Sequence, residues 1–228
     1  MLLASCGGED KQSRPSATPT QSAPAVAPPP NLSTQQVKAG LLSSREVGSE
    51  IKQTGIAVEA IQKKQAPMCS LSGIKLPGQP ETTIRQFSNP ATGKGEVKYA
   101  QLIARYQDAP GAANAYAALQ KAARACPSKQ HVPPKKVNAN FTLFAHDDTW
   151  RVSEDSLAGW THLRGFERQK YSASASKENI FYFTYDYAVR GNLVITTLYW
   201  ERTSPSKPSD PISKRAAELL DKQLKKLG

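Results

Sequence analysis

The sequence predicts an α+β domain, a twisted antiparallel sheet with helices packed against it, following an N-terminal linker that does not fold. Three observations predict it. Residues 180–189 (IFYFTYDYAV) and 193–200 (LVITTLYW) are the strongest strand patterns, and Arg190-Gly191-Asn192 between them makes a tight hairpin. Residues 110–125 repeat apolar positions at steps of three and four. Residues 211–227 close the chain with a second amphipathic pattern.

In chain order, residues 41–51 (LLSSREVGSEI) read as a short helix. Ser43 and Glu46 form a capping box, and Leu42 and Val47 the staple. Residues 55–61 fit either a strand or more helix, and Cys69 falls in a Gly- and Pro-rich loop. Residues 95–106 alternate as a strand, with Val97, Tyr99 and Ile103 on one side. Pro110 opens the next helix, whose stripe is Tyr116, Leu119, Ala123 and Cys126, and Cys126-Pro127 ends it. Residues 141–144, 150–152 and 160–168 are strand-like. The last helix turns Ile212, Ala216, Leu219, Leu220, Leu224 and Leu227 inward.

The N-terminal part has a different character. Residues 7–37 are read as a linker, because Ser, Thr, Pro, Ala, Gln and Gly dominate its first part and cannot bury enough apolar surface to offset the entropy of ordering. Residues 38–228 form the single domain. Leu3-Ala4-Ser5-Cys6 resembles the bacterial lipobox, and in that family the cysteine carries the lipid. Residues 1–6 are then the remnant of a signal peptide, with Cys6 as the lipidation site and the linker as a tether. Two acyl chains anchor a protein stably where one holds it marginally. Only five residues precede Cys6, too few for a basic and an apolar region, so the expectation includes a start upstream of Met1; the alternative is a chance match in a soluble protein.

The formal net charge is +11, with Lys and Arg scattered along the chain. No zinc-finger, RNA-recognition or helix-turn-helix pattern accompanies them, so no nucleic-acid partner is expected; an anionic lipid or wall polymer fits better. Besides Cys6 there are Cys69 and Cys126. In an oxidising compartment the pair reads as a disulfide closing a loop of about 58 residues, with a chain-entropy contribution of about 4 kcal/mol; inert buried thiols are the alternative. No cysteine or histidine spacing suits a metal, and no cofactor motif is present. His146-Asp147-Asp148 is a tempting acid/base cluster, but adjacent residues point in different directions and Asp-Asp is common in turns. No catalytic residues are assigned, and the chain is read as non-enzymatic.

The hairpin supplies the candidate binding face. Phe181, Phe183, Tyr185 and Tyr187 share one side of their strand, and Ile180, Tyr182, Thr184 and Asp186 the other. Tyr182, Thr184 and Asp186, joined by Thr196 and Trp200 of the partner strand, are mixed enough to line a ligand groove. The plainer reading of that face is a helix-covered or solvated surface.

Taken together, the lipobox and Pro-rich linker, LLSSREVGSEI, a cysteine near position 69, AANAYAALQKAARAC ending in a second cysteine, and strands carrying Trp160 and the aromatic hairpin form a recognisable set. Over residues 38–228 this resembles the PknH-like extracellular sensor domain of actinobacteria, here as a free-standing lipoprotein. The resemblance implies an α+β domain with a cleft for an extracellular ligand and no catalysis. It departs from the kinase sensor in having cysteines for one disulfide rather than two, and in carrying neither a kinase domain nor a transmembrane helix, so a signal would pass through a partner protein. The expected function is that of a cell-surface lipoprotein, on the outer face of the cell membrane, binding a small molecule, a lipid or an envelope component. Two alternatives are a chaperone-like lipoprotein of the Mog1/PsbP kind and an envelope hydrolase built on His146 or His162.

Overall fold

The computed structural model describes residues 31–89, 96–138, 141–172 and 177–228. Cys6 and most of the expected linker lie outside these residues. The first helix, α1 (Thr34–Ala39), starts inside the segment read as linker: Ser33 and Gln36 form a reciprocal capping box, and Val37 is buried. The expected helix at 41–51 is shorter, α2 (Ser44–Val47), and stops at Gly48. There the Glu46 carboxylate accepts from both the N–H and the hydroxyl of Ser43, at 2.7 Å each.

The elements that follow are β1 (Lys52–Thr54), α3 (Glu59–Gln62), β2 (Ala66–Pro67), a single 3-10 turn (Cys69–Leu71), β3 (Gly73–Ile74), β4 (Glu81–Ser88), β5 (Val97–Arg105) and α4 (Ala109–Ala125). Next come β6 (Lys129–Val132), β7 (Lys135–Asn138), β8 (Phe141–Leu143), β9 (His146–Leu157), β10 (Trp160–Tyr171), β11 (Ile180–Arg190), β12 (Leu193–Thr203) and α5 (Asp210–Lys226). Eight strands form one sheet in the order β1-β4-β5-β12-β11-β10-β9-β6, and every pairing in it is antiparallel. The predicted α+β class is the observed one.

Two connections fix the register of the long strands. Ala158 and Gly159, both at positive φ, turn β9 into β10 with Leu157 opposite Trp160. Gly191 and Asn192 turn β11 into β12, with Arg190 opposite Leu193. Asn192 is buried; its amide bonds to both backbone groups of Leu32 and donates to the carbonyl of Tyr106 at 3.0 Å, tying the entering chain to the hairpin.

Each face of the sheet has its own core. On one face α4 turns Ala112, Ala115, Tyr116, Leu119 and Ala123 onto Leu102, Phe183, Tyr185, Tyr187, Leu198 and Trp200. Cys69 and Cys126 are joined by a disulfide across a sequence separation of 57, which staples the 3-10 turn to the end of α4. Trp150 donates its indole N–H to the Ala123 carbonyl at 2.9 Å. It fits there because its diagonal cross-strand neighbour is Gly165: a Cβ at that position would meet the Trp150 ring at 2.1 Å. On the other face α5 and its C-cap Leu227 bury all six expected inward residues, against Tyr99, Ile103, Trp160, Tyr182, Ile195 and Tyr199 among others.

Candidate ligand cleft

The hairpin register decides which expected groove residues can meet. A two-residue loop puts each even-numbered residue of β11 opposite an odd-numbered one of β12, and directly opposed residues share a face. Tyr182, Thr184 and Asp186 therefore stand beside Glu201, Tyr199 and Thr197 on the α5 face. Thr196 and Trp200 stand beside Tyr187 and Phe183, on the α4 face. Thr196 donates to the Leu102 carbonyl there, and Trp200 packs in the core beneath the Lys98 ammonium, 5.6 Å from its ring. The five residues do not form one groove, because taking the two strands in even-to-even register was wrong by one position.

Thr184 and Asp186 are buried beneath α5 rather than open to a ligand. Asp186 accepts from Arg164 Nε at 2.6 Å and from His162 Nε2 at 2.9 Å. Burial pushes its carboxyl pKa up, but the Arg164 charge and the hydrogen bonds from His162 and Arg164 outweigh that and hold it below the usual value. His162 Nδ1 lies 2.6 Å from Asp155 Oδ1, so both ring nitrogens face carboxylates. Burial works against a charged imidazole, yet the Asp186 and Asp155 hydrogen bonds raise its pKa above the ordinary value.

The His146-Asp147-Asp148 run splits between faces. Asp147 points outward to His131 Nδ1 at 2.7 Å, while His146 and Asp148 are buried on the α4 face. There Asp148 accepts from the Ser70 hydroxyl at 2.9 Å, and Glu167 accepts from the Ser70 N–H and the Tyr185 hydroxyl, each at 2.8 Å. Two buried carboxylates thus hold the disulfide-bonded turn, in which Ser70 and Leu71 take positive φ. Burial raises the pKa of both.

The open concavity is a cleft of about 630 Å³ on the α5 side, which the sequence patterns did not identify. The α2–β1 turn, the end of β12 and the first half of α5 enclose it. Val47, Ile51, Val97, Ile212 and Leu219 provide apolar lining, and Glu50, Glu218, Lys207 and Lys222 are charged groups around it. At its base the Tyr199 hydroxyl donates to Glu201, whose carboxylate also receives Arg215 through Nε and Nη2 at 2.7 Å each. Burial, reinforced by the Glu201 charge, raises the Tyr199 pKa, so the phenol is neutral. None of the five expected groove residues lines this cleft; Tyr199 and Glu201, the register partners of Thr184 and Tyr182, do.

Comparison with known proteins identifies the architecture. The extracellular domain of PknH from Mycobacterium tuberculosis is similar in structure, with a TM-score of 0.52 and 14% sequence identity; the match covers 86% of this chain and 98% of that one. A Pseudomonas aeruginosa protein of unknown function, PA94, matches with a TM-score of 0.32 and 14% identity over 75% of this chain and 95% of its own. No protein-family model matches the chain, and no curated protein sequence does. Among the described residues no helix is long and apolar enough to cross a membrane.

Proposed function

We propose that this chain is a cell-surface, sensor-like domain that binds a small or lipidic envelope ligand in the cleft beside α5. One observation carries this reading. The cleft, at about 630 Å³, joins apolar lining to charged groups around it, on a fold shared with the extracellular domain of PknH. A concavity of roughly 300–1,000 Å³ lined by apolar side chains with a few polar groups is the usual form of a small-molecule site. An amphipathic ligand would lay its apolar part on Ile51, Val97 and Leu219 and its polar part near Lys207, Lys222 and Arg215. The Cys69–Cys126 disulfide supports an oxidising, extracytoplasmic setting.

The anchoring is part of the proposal: Cys6 carries the lipid and the Pro-rich segment sets the domain away from the membrane. Output through a protein partner is also part of the proposal.

The test is retention of ligand from a mycobacterial envelope extract, read by native mass spectrometry on the full chain. Ser49→Trp fills the cleft from its exposed rim. The unmodified protein retains a discrete added mass that Ser49→Trp loses. Equal retention by both would refute the cleft as the site, and no retention at all would refute ligand binding. Intact mass of the protein made from its natural upstream DNA tests the anchor: a membrane-bound species beginning at an acylated Cys6 is expected, and a species retaining Met1 refutes it.

A further inference from the structure

A second hollow lies on the α5 side of the sheet, beyond the start of α5, where β10 and β9 extend past the helix. It encloses about 230 Å³ and is lined by Thr149, Arg151, Phe166, Arg168, Tyr182 and Ser209. Two adjacent cross-strand rows build it. One runs Lys129, Thr149, Arg168, Tyr182; the other runs Arg151, Phe166, Thr184. Alternation puts all of these on one face, so two arginines line the hollow beside two aromatic rings, with Lys129 on the same face in the neighbouring strand.

The cations are not occupied by the protein. Among the described residues no carboxylate forms an ion pair with Arg151, Arg168 or Lys129. Arg164, one row further along, is by contrast committed to Asp186. Asp147 pairs with His131, and Asp210, next to Ser209 in the chain, takes the Ser209 hydroxyl at 3.5 Å. Arg151 lies over the Phe166 ring, 4.4 Å from its centroid, and Phe166 packs against Tyr182 with centroids 5.7 Å apart. A guanidinium stacked on a ring is fixed in orientation and keeps its N–H edge free, which is the arrangement that grips an oxyanion with two parallel hydrogen bonds.

We infer that this hollow is a phosphate-binding site, separate from the cleft and independent of its proposed role, in which Arg151 and Arg168 hold the oxyanion, with the Thr149 hydroxyl at hand and Lys129 adding charge. The volume admits a phosphate group with a small substituent, not a whole lipid. The phosphate belongs either to a soluble phosphate monoester or to a phospholipid headgroup presented at a bilayer surface.

The test follows the arginine Nε–Hε signals of the full, unacylated chain by NMR. The probes are inorganic phosphate, glycerol 3-phosphate, and phosphatidylcholine vesicles with and without phosphatidylglycerol. The Arg151 and Arg168 signals shift and saturate. Arg151→Gln/Arg168→Gln weakens binding at least about tenfold, the loss expected when bidentate charge-assisted bonds go. The charge-matched Lys121→Gln/Lys214→Gln keeps it. Should the arginine pair fail to fold, Arg168→Gln alone reads the same loss. Saturation by the free phosphates assigns a soluble source, and saturation only by phosphatidylglycerol vesicles assigns a headgroup; both support the site. No saturable shift with any probe, unchanged affinity in the arginine variants, or an equal loss in the lysine pair overturns it.

Discussion

Glu167 and Asp186 are carboxylates on opposite faces of the same sheet, 1% and 0% exposed, and the protein treats them in opposite ways. Glu167, on the α4 face, meets only neutral donors, namely Tyr185, Gln169 and the Ser70 backbone. Burial dominates there, and its pKa rises. Asp186, on the α5 face, has burial to overcome as well, but Arg164 and His162 reverse the direction. Burial alone favours the neutral acid; a cation in contact decides otherwise. Both faces are packed by an apolar helix stripe, and the α4 face adds a disulfide. The α5 face adds the buried Arg164–Asp186–His162 group to its apolar core, and Arg151 and Arg168 face outward there.

Breaking the staple of the α4 face has the largest expected effect. Cys69→Ala/Cys126→Ala frees a loop spanning a separation of 57 residues, and should cost about 4 kcal/mol by denaturant unfolding compared with the oxidised protein. On the α5 face, Asp186→Ala strands Arg164 and His162. We expect a loss of about 3 kcal/mol, at the low end for a broken buried pair because Arg164 reaches solvent in part. Gly165→Ala drives a methyl into the Trp150 ring and should cost about 2 kcal/mol, with a change in tryptophan fluorescence.

The smallest effect sharpens the contrast most, because it is one of sign. A carboxyl raised in the folded state contributes stability that is full below its ordinary value and is lost as pH rises through the folded value. Glu167, with an ordinary value of 4.5, and Asp148, with 3.8, belong to this class. Asp186 is lowered, so its contribution is present above 3.8 and lost as pH falls through its folded value. His162 is raised; its contribution is full below 6.5 and lost as pH rises through the folded value. Glu167→Gln should therefore flatten the fall of stability with rising pH above 4.5 while leaving the acid limb intact, and Asp186→Asn should blunt the acid limb. Thermal midpoints across pH 3–8 check both.

The parts legible in the sequence are those in which hydrophobicity tracks burial. The inward residues of α5, the stripe of α4 and the hairpin strands were readable because apolar spacing alone sets them. β9 was expected only at 150–152 because its buried side carries His146 and Asp148, so burial alternates along the strand while hydrophobicity does not. β4, with the sequence ETTIRQFS, was missed because most of its positions are half-buried and show no clean alternation. The α+β class needed only the legible elements. The ligand face needed the register of one hairpin, and a slip of one residue moved Thr196 and Trp200 to the wrong side. The 630 Å³ cleft joins residues about 150 positions apart, a closeness set by sheet order rather than local pattern.

The most direct measurement is hydrogen–deuterium exchange on the full chain, with and without a bacterial cell-envelope extract. A ligand face on the α5 side predicts added protection in the 47–51 turn and in residues 207–222, with the 69–72 turn and α4 unchanged. Protection confined to the disulfide turn and α4 would contradict it and place the site on the opposite face of the sheet.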